Sequence, residues 1–258
     1  MLILLPPSEG KTAPATGEPT DLTTLWLPRL ATARKRVLSR LVTLSRRTSA
    51  RAVADSLATL GLSAGQRDEL HRNAALVTAA AAPAASVYTG VLYEALDHAG
   101  LPGPARGWVD ERAVVFSGLW GAVRLGDRIP AYRCSAGVTL PGLGGLTPYW
   151  RTALTRAMPA DELVLDLRSG AYAAMWAPGP RSLALRVLHE RIVDGEPRRS
   201  VVSHFNKATK GRMVRDLALA GVAPSSVDEL LGALRDLKWT VEERPGPARQ
   251  ADVIVREL

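Results

Sequence analysis

Four polar clusters follow or overlap short apolar runs, and they hold the residue types that bind anions. The first three are Ser8-Glu9-Gly10-Lys11-Thr12, Ser117-Gly118-Leu119-Trp120-Gly121 and Arg168-Ser169-Gly170-Ala171-Tyr172. The fourth, His204-Phe205-Asn206-Lys207-Ala208-Thr209-Lys210-Gly211-Arg212, overlaps the end of its run. In open α/β sheets ligands bind beyond the carboxyl ends of the strands, where loops converge and helix N-termini point inward. Parallel neighbours would gather these clusters into one cationic cleft. Ser8, Lys11, Thr12, Arg168 and Ser169 are candidates for holding an anion there. So are Arg133, His204, Asn206, Lys207, Lys210 and Arg212. Lys11, Tyr88, Ser117 and Tyr172 are the candidates for orienting or reacting with a substrate.

Lysine usage sharpens this. The chain has 28 Arg and five Lys, and three of the five (Lys11, Lys207, Lys210) fall in these clusters. A lysine kept where arginine is used elsewhere marks a need for a compact point charge, or for an amine whose pKa can be tuned. A desolvated lysine in a cationic pocket can form a Schiff base.

Other chemistries are poorly served. Gly10-Lys11-Thr12 resembles the end of a P-loop, but that motif needs a glycine at position 5, which is Leu5. Pro6 and Pro7 also lack the N–H groups of a phosphate cradle. The histidines His71, His98, His189 and His204 have no ligand spacing, so no metal site and no cofactor are expected. Cys134 is the single cysteine, and no Gly-x-Ser-x-Gly elbow is present. Asp127-Arg128 reads as a loop salt bridge.

Charge points to a polyanionic partner. Net charge is +8. Between Asp21 and Asp55 no acidic residue occurs, and that gap carries Arg29, Arg34, Lys35, Arg36, Arg40, Arg46, Arg47 and Arg51. A second acid-free gap, from Glu196 to Asp216, holds Arg198, Arg199, Lys207, Lys210, Arg212 and Arg215. Clustered positive charge of this kind is what a nucleic acid requires, and Arg34, Lys35, Arg36 and Arg40 are candidates to meet it. The alternative is a solvated helix face. A small phosphorylated molecule is the other candidate partner.

The elements that must position these residues read as follows. Leu2–Leu5 is a short buried strand stopped by Pro6-Pro7, and Thr12–Thr20 is an exposed loop. Leu22–Leu44 is helical, with Leu30, Val37, Leu38, Leu41 and Leu44 on one face and a break at Pro28. Ala50–Leu60 forms a helix closed by Gly61 in the left-handed conformation. Ser63 with Gln66 caps a second helix, predicted to run from Ala64 to about Ala82. Strands are predicted at Ala113–Phe116, Leu163–Leu167, Val201–Phe205 and Val253–Val255. Another at Trp239–Val241 pairs with the last through a Pro245-Gly246-Pro247 turn. Helices are predicted at Thr147–Ala157, Arg181–Val193, Gly211–Ala220 and Val227–Leu237. The alternation argues for one α/β (α+β) domain spanning 1–258, with a mixed sheet flanked by helices. No apolar run reaches the roughly 18 residues of a membrane span, and no signal peptide is evident, so a cytoplasmic location is expected.

Taken in order, these segments resemble the YaaA family of peroxide-stress proteins. Leu2 to Thr12 looks like its N-terminal signature in the Gram-positive form. Tyr88-Thr89-Gly90-Val91-Leu92-Tyr93 is similar to its central motif. Ser117 to Gly121 and Asp127 to Arg133 resemble the next block, with Trp120 where the family usually has Tyr. Phe205 to Arg212 resembles the C-terminal block. The segment Asp166-Leu167-Arg168-Ser169-Gly170-Ala171-Tyr172 departs, with Ala171 in place of the usual Glu and an added Arg168. The resemblance implies protection against hydrogen peroxide by limiting free iron and oxidative DNA damage. It also implies a compact α/β fold with a positively charged cleft, a helix-hairpin-helix element and binding to double-stranded or distorted DNA. The segment 50–76 is where that element would lie, with Gly61 and Ser63 in its hairpin offering N–H groups to phosphates.

Overall fold

The computed structural model describes residues 1–246 and 248–256, apart from the side chains of Ser203 and His204. The candidate His204 and Pro247 of the predicted turn therefore lie outside the described set. An eight-stranded mixed sheet runs through the centre. Its strands are β1 (Leu2–Leu5), β2 (Ala113–Ser117), β3 (Gly121–Arg124), β4 (Val164–Asp166), β5 (Ser182–Val193), β6 (Glu196–Ser200), β7 (Thr240–Arg244) and β8 (Gln250–Val255). The order is β7-β8-β5-β4-β1-β2-β3, with β6 added to β5. The central neighbours β8, β5, β4, β1 and β2 are parallel, whereas β2/β3, β7/β8 and β5/β6 are antiparallel.

Strands covered on both faces carry continuous apolar runs. Leu2–Leu5 and Ala113–Ser117 are buried at every residue, as that rule requires. The main helices are α1 (Ala31–Ser45), α2 (Ala50–Leu60), α3 (Asp68–Ala74), α4 (Val91–Leu96), α5 (Gly103–Arg112), α6 (Leu146–Ala157), α7 (Ser203–Leu219) and α8 (Val227–Asp236). Single turns of helix lie at Ala84–Val87 and Gly170–Ala173. The helix expected from Leu22 starts later: residues 22–27 are turn and bend, Leu27 is left-handed (φ 58°), and a 3-10 turn over Pro28–Leu30 then leads into α1. α2 ends at Gly61 in the left-handed conformation (φ 65°), where a side chain other than glycine's is strained. Gln66 Oε1 accepts from the Ser63 N–H at 3.0 Å.

Three further expectations need correction. Arg181–Val193 is strand β5. Its apolar residues Leu183, Leu185 and Val187 are buried at every second position, which is a strand period. The strand expected at Val201–Phe205 is absent: residues 201 and 202 are irregular and α7 begins at Ser203. The helix expected over Ala64–Ala82 is a 3-10 turn followed by α3, and it ends at Ala74.

Helix α7 crosses α4 closely because Gly211 has no side chain. A Cβ there would sit 2.1 Å from the Leu92 carbonyl oxygen and 2.9 Å from Ala95 Cβ. Both are fixed parts of α4, so the helices must separate to admit a methyl. Gly211→Ala is expected to lower stability by about 3 kcal/mol, at the upper end of overpacking costs, as read from the urea midpoint.

Candidate functional site

The loops after β1 and β4 and the N-terminal turns of α7 do converge. Beyond the carboxyl edge of the sheet lies a cleft of about 620 Å³. Lys11, Arg133, Lys207 and Lys210 line it, and Glu9 is the one acidic residue among its lining. Ser8, Ser169, Asn206 and Tyr172 also face it, and Gly61 at the end of α2 stands at its wall. These sites come from segments more than 190 residues apart, brought together by the parallel order β5-β4-β1, with α7 following the β5–β6 hairpin.

Lys11 is partly buried. Its Nζ donates to the Ser8 carbonyl at 2.7 Å and lies 4.4 Å from the centre of the Tyr132 ring. Burial, and then the positive charge of Arg133, bring its pKa down to about 8. Glu9 does not neutralise it, because that carboxylate bonds to Arg133 at 3.1 Å. Lys210 is buried and donates to the Leu167 carbonyl at 2.8 Å, and burial brings its pKa to about 8 as well. Both amines thus sit where losing a proton near neutrality is easy, which favours nucleophilic or acid–base work as much as anion binding. Lys207 is exposed at the mouth.

Beneath the lysines is an aromatic floor. Tyr88 stacks on Tyr93 at 5.3 Å, and its hydroxyl is 2.9 Å from that of Tyr132. Tyr132 and Tyr93 line the cleft, while Tyr88 is buried under it. Burial raises the pKa of all three phenols, and that of Tyr172 to about 12, so they serve as neutral hydrogen-bonding groups. Tyr132 and Tyr93 stand inside the blocks quoted above, but no spacing singled them out.

Several candidates lie elsewhere. Ser117 is fully buried; its hydroxyl accepts from the Leu119 and Trp120 N–H groups and pairs with the Tyr132 hydroxyl at 2.6 Å. It closes a turn under the floor and faces no substrate. Arg168 is buried against Asp166, with charge-assisted bonds of 2.6 and 2.9 Å, and its guanidinium lies 4.2 Å from the Phe116 ring centre. Its charge is spent within the protein. Arg34 is fully buried and donates to the carbonyls of Trp26, Leu27, Trp120 and Ala122. It is therefore withdrawn from the basic surface, where Lys35, Arg36 and Arg40 remain exposed. Thr12, Ser63 and Arg212 are exposed but outside the cleft lining, as is Ala171. The Asp127–Arg128 pair does not form: Asp127 accepts from the Trp26 and Arg124 N–H groups, and Arg128 donates to the Ala81 carbonyl.

A smaller groove of about 290 Å³ lies between α1, α2 and α3, with Arg46, Arg47, Arg67 and His71 around mostly apolar walls. Among the described residues no group of three His, Cys, Asp or Glu side chains is placed to hold a metal ion. Nor is any helix there long and apolar enough to cross a membrane.

Fold and site together define a compact α/β protein with a basic, tyrosine-floored cleft at the carboxyl edge of a mixed sheet. The profile of the peroxide stress protein YaaA family matches residues 1–244, and the chain belongs to that family. A UPF0246 protein of Streptomyces coelicolor is 50% identical over 269 residues, covering all of both chains. UPF0246 proteins of Corynebacterium efficiens and Corynebacterium glutamicum are 39% and 37% identical over 260 residues, covering 99% of this chain and all of theirs.

Proposed function

We propose that this protein serves the response to hydrogen peroxide by binding nucleic acid, largely without regard to sequence, through the basic cleft. The observation that carries this reading is the cleft lining, with four cations against one carboxylate. A phosphodiester backbone supplies the missing negative charge, and lysines as point charges hold it without reading bases. Gly61 at the end of α2 lines the cleft, which supports reading the α2–α3 hairpin as a helix-hairpin-helix element beside the same path. The exposed Lys35, Arg36 and Arg40 extend the cationic surface for a partner larger than the cleft.

A second reading has its own support. The cleft volume lies within the range of about 300–1,000 Å³ typical of small-molecule sites. Its two buried amines exceed what backbone binding requires. A nucleotide-like or other phosphorylated small substrate fits those features.

Binding of labelled duplex and bulged DNA across a salt series separates the two. The nucleic-acid reading expects affinity to fall linearly on a log–log plot, with a slope of about −0.9 per phosphate engaged. Absence of binding at moderate salt leaves the small-molecule enzyme as the reading to pursue.

A further inference from the structure

The β5–β6 hairpin stands outside the functions described so far. β5 runs parallel to β4 but continues well past it. Its pairing with β4 covers Ser182 to Ala184, and with β8 Ala184 to His189. At His189 both β8 and β6 are neighbours, so β6 lies on the flank of β5 that carries β4. The ribbon of Glu190–Val193 and Glu196–Arg199 therefore projects from the carboxyl edge, above the end of β4, on the side where the cleft opens. Val201, just after β6, is part of the cleft lining.

This ribbon is unfavourable as it stands. It is two-stranded, and such ribbons are marginal in water without a covering face. It and its exit hold three of the large apolar residues left most open to solvent, Ile192 at 70%, Val201 at 58% and Val193 at 39%. Its register sets Arg191 directly opposite Arg198. Like charges in that position repel. Neither guanidinium has a carboxylate partner among the described residues; Arg191 donates only to His189 Nδ1, at 3.2 Å. Glu196 shares their face but pairs with neither. By contrast Glu190 and Arg199, on the other face, are joined at 2.7 Å.

We infer that the Arg191–Arg198 pair is a phosphodiester-binding site, and that the hairpin holds a nucleic-acid strand across the mouth of the cleft. Two guanidiniums on adjacent strands match the oxygens of one or two neighbouring phosphates. Val193 shares their face, and Val201 stands at the cleft end of the path, where apolar side chains meet sugar and base surfaces. A two-stranded ribbon is also of a size to enter a DNA groove. A second copy pairing along the free edge of β6 is disfavoured by Pro197. The Val193/Glu196 pair flanks the two-residue Asp194-Gly195 turn and is hydrogen-bonded, so the next pair turns its N–H groups outward. There Pro197 has no donor to offer.

The inference rests on the nucleic-acid reading, and the test separates the two. DNA binding of wild type, Arg198→Ala, the Arg191→Ala/Arg198→Ala double variant and Arg156→Ala is measured across a salt series, with the oligomeric state followed by light scattering. Arg156 lies on α6, away from the cleft, and controls for loss of net charge. The expected result is a salt slope reduced by about 0.9 in Arg198→Ala and about twice that in the double variant. Affinity should fall at least tenfold in the double variant, with Arg156→Ala close to wild type. If wild type binds and the double variant matches Arg156→Ala, the hairpin site is wrong and the cleft reading stands. A wild-type dimer that the hairpin substitutions dissociate, with DNA binding unchanged, assigns the ribbon to self-association and also overturns the site. If wild type binds no DNA, the cleft reading fails and the hairpin site falls with it.

Discussion

Arg34→Leu is expected to lower stability by about 3–5 kcal/mol, the range for stripping one partner from a buried charged network. The guanidinium joins two parts of the chain. It donates to the Trp26 and Leu27 carbonyls before α1, and to the Trp120 and Ala122 carbonyls at the β2–β3 turn. Leucine matches the burial but takes a donor from four carbonyls, of which those of Leu27 and Trp120 keep a backbone N–H partner. It also leaves volume unfilled, although relief from holding a buried cation offsets part of the loss. Burial pulls the pKa of Arg34 down to about 10, so it stays charged at neutral pH, compensated by the Asp127 carboxylate together with the carbonyls. Arg34→Lys should recover part of the loss, because an ammonium has three donors but lacks the fork that spans both segments. Lys35→Leu, one residue on and exposed, should change the stability read from the urea midpoint by no more than about 0.5 kcal/mol. If Arg34→Leu unfolds at the same urea concentration as Lys35→Leu, this account of the core is wrong.

The same residue shows what was legible in the sequence. Leu30, Val37, Leu41 and Leu44 mark the buried face of α1, and position 34 completes their four-three spacing. Position 34 thus fits the buried stripe, whereas the charge cluster counts Arg34 among its surface cations; the structure buries it. Arg168 misled in a similar way. It reads as a cleft cation until Asp166, two residues earlier, is considered as its partner. In both cases residue type was read correctly and direction was not, because direction depends on what the rest of the fold presents.

Strand β5 failed differently. Arg181–Val193 contains enough leucine to suit a helix, yet Leu183, Leu185 and Val187 alternate. Asp194-Gly195, with φ of 54° and 80°, is the two-residue turn that this dipeptide favours. The signal was local and present. The start of α7 was not readable in that way: Val201 to Phe205 is a short apolar run, and such runs do not distinguish strand from helix. Elsewhere local pattern sufficed. β1, β2, the Gly61 cap and the convergence of the lysine clusters all follow from apolar runs and their punctuation. The tyrosine floor did not emerge, because Tyr88, Tyr93 and Tyr132 meet only through tertiary contact.

The Lys11→Ala/Lys207→Ala/Lys210→Ala variant is expected to lose DNA affinity by two to three orders of magnitude near 0.1 M salt. Three phosphate contacts at about 0.9 each remove roughly 2.7 from the salt slope, and the same figure gives the affinity change between 1 M and 0.1 M. Two of these lysines add a pH signature. Lys11 and Lys210 have folded-state pKa values near 8, against 10.5 ordinarily. Below pH 8 both are ammonium groups and the cleft carries its full charge; as pH rises from 7 to 9 they become neutral and affinity should drop. A bound phosphate favours the charged form, so binding at pH 8.5 should take up protons from the buffer. Folding stability moves the other way. The folded state holds fewer protons than the unfolded chain between about pH 8 and 10.5, so the cost these two buried cations impose on folding is relieved as pH rises through that window. Affinity falling while stability holds would therefore locate the effect in the cleft rather than in unfolding. Replacing both with arginine should flatten the affinity profile, since guanidinium stays charged. If the triple variant stays folded and binds as wild type does, nucleic acid lies on the exposed face of α1, and the two amines belong to a small-molecule reaction.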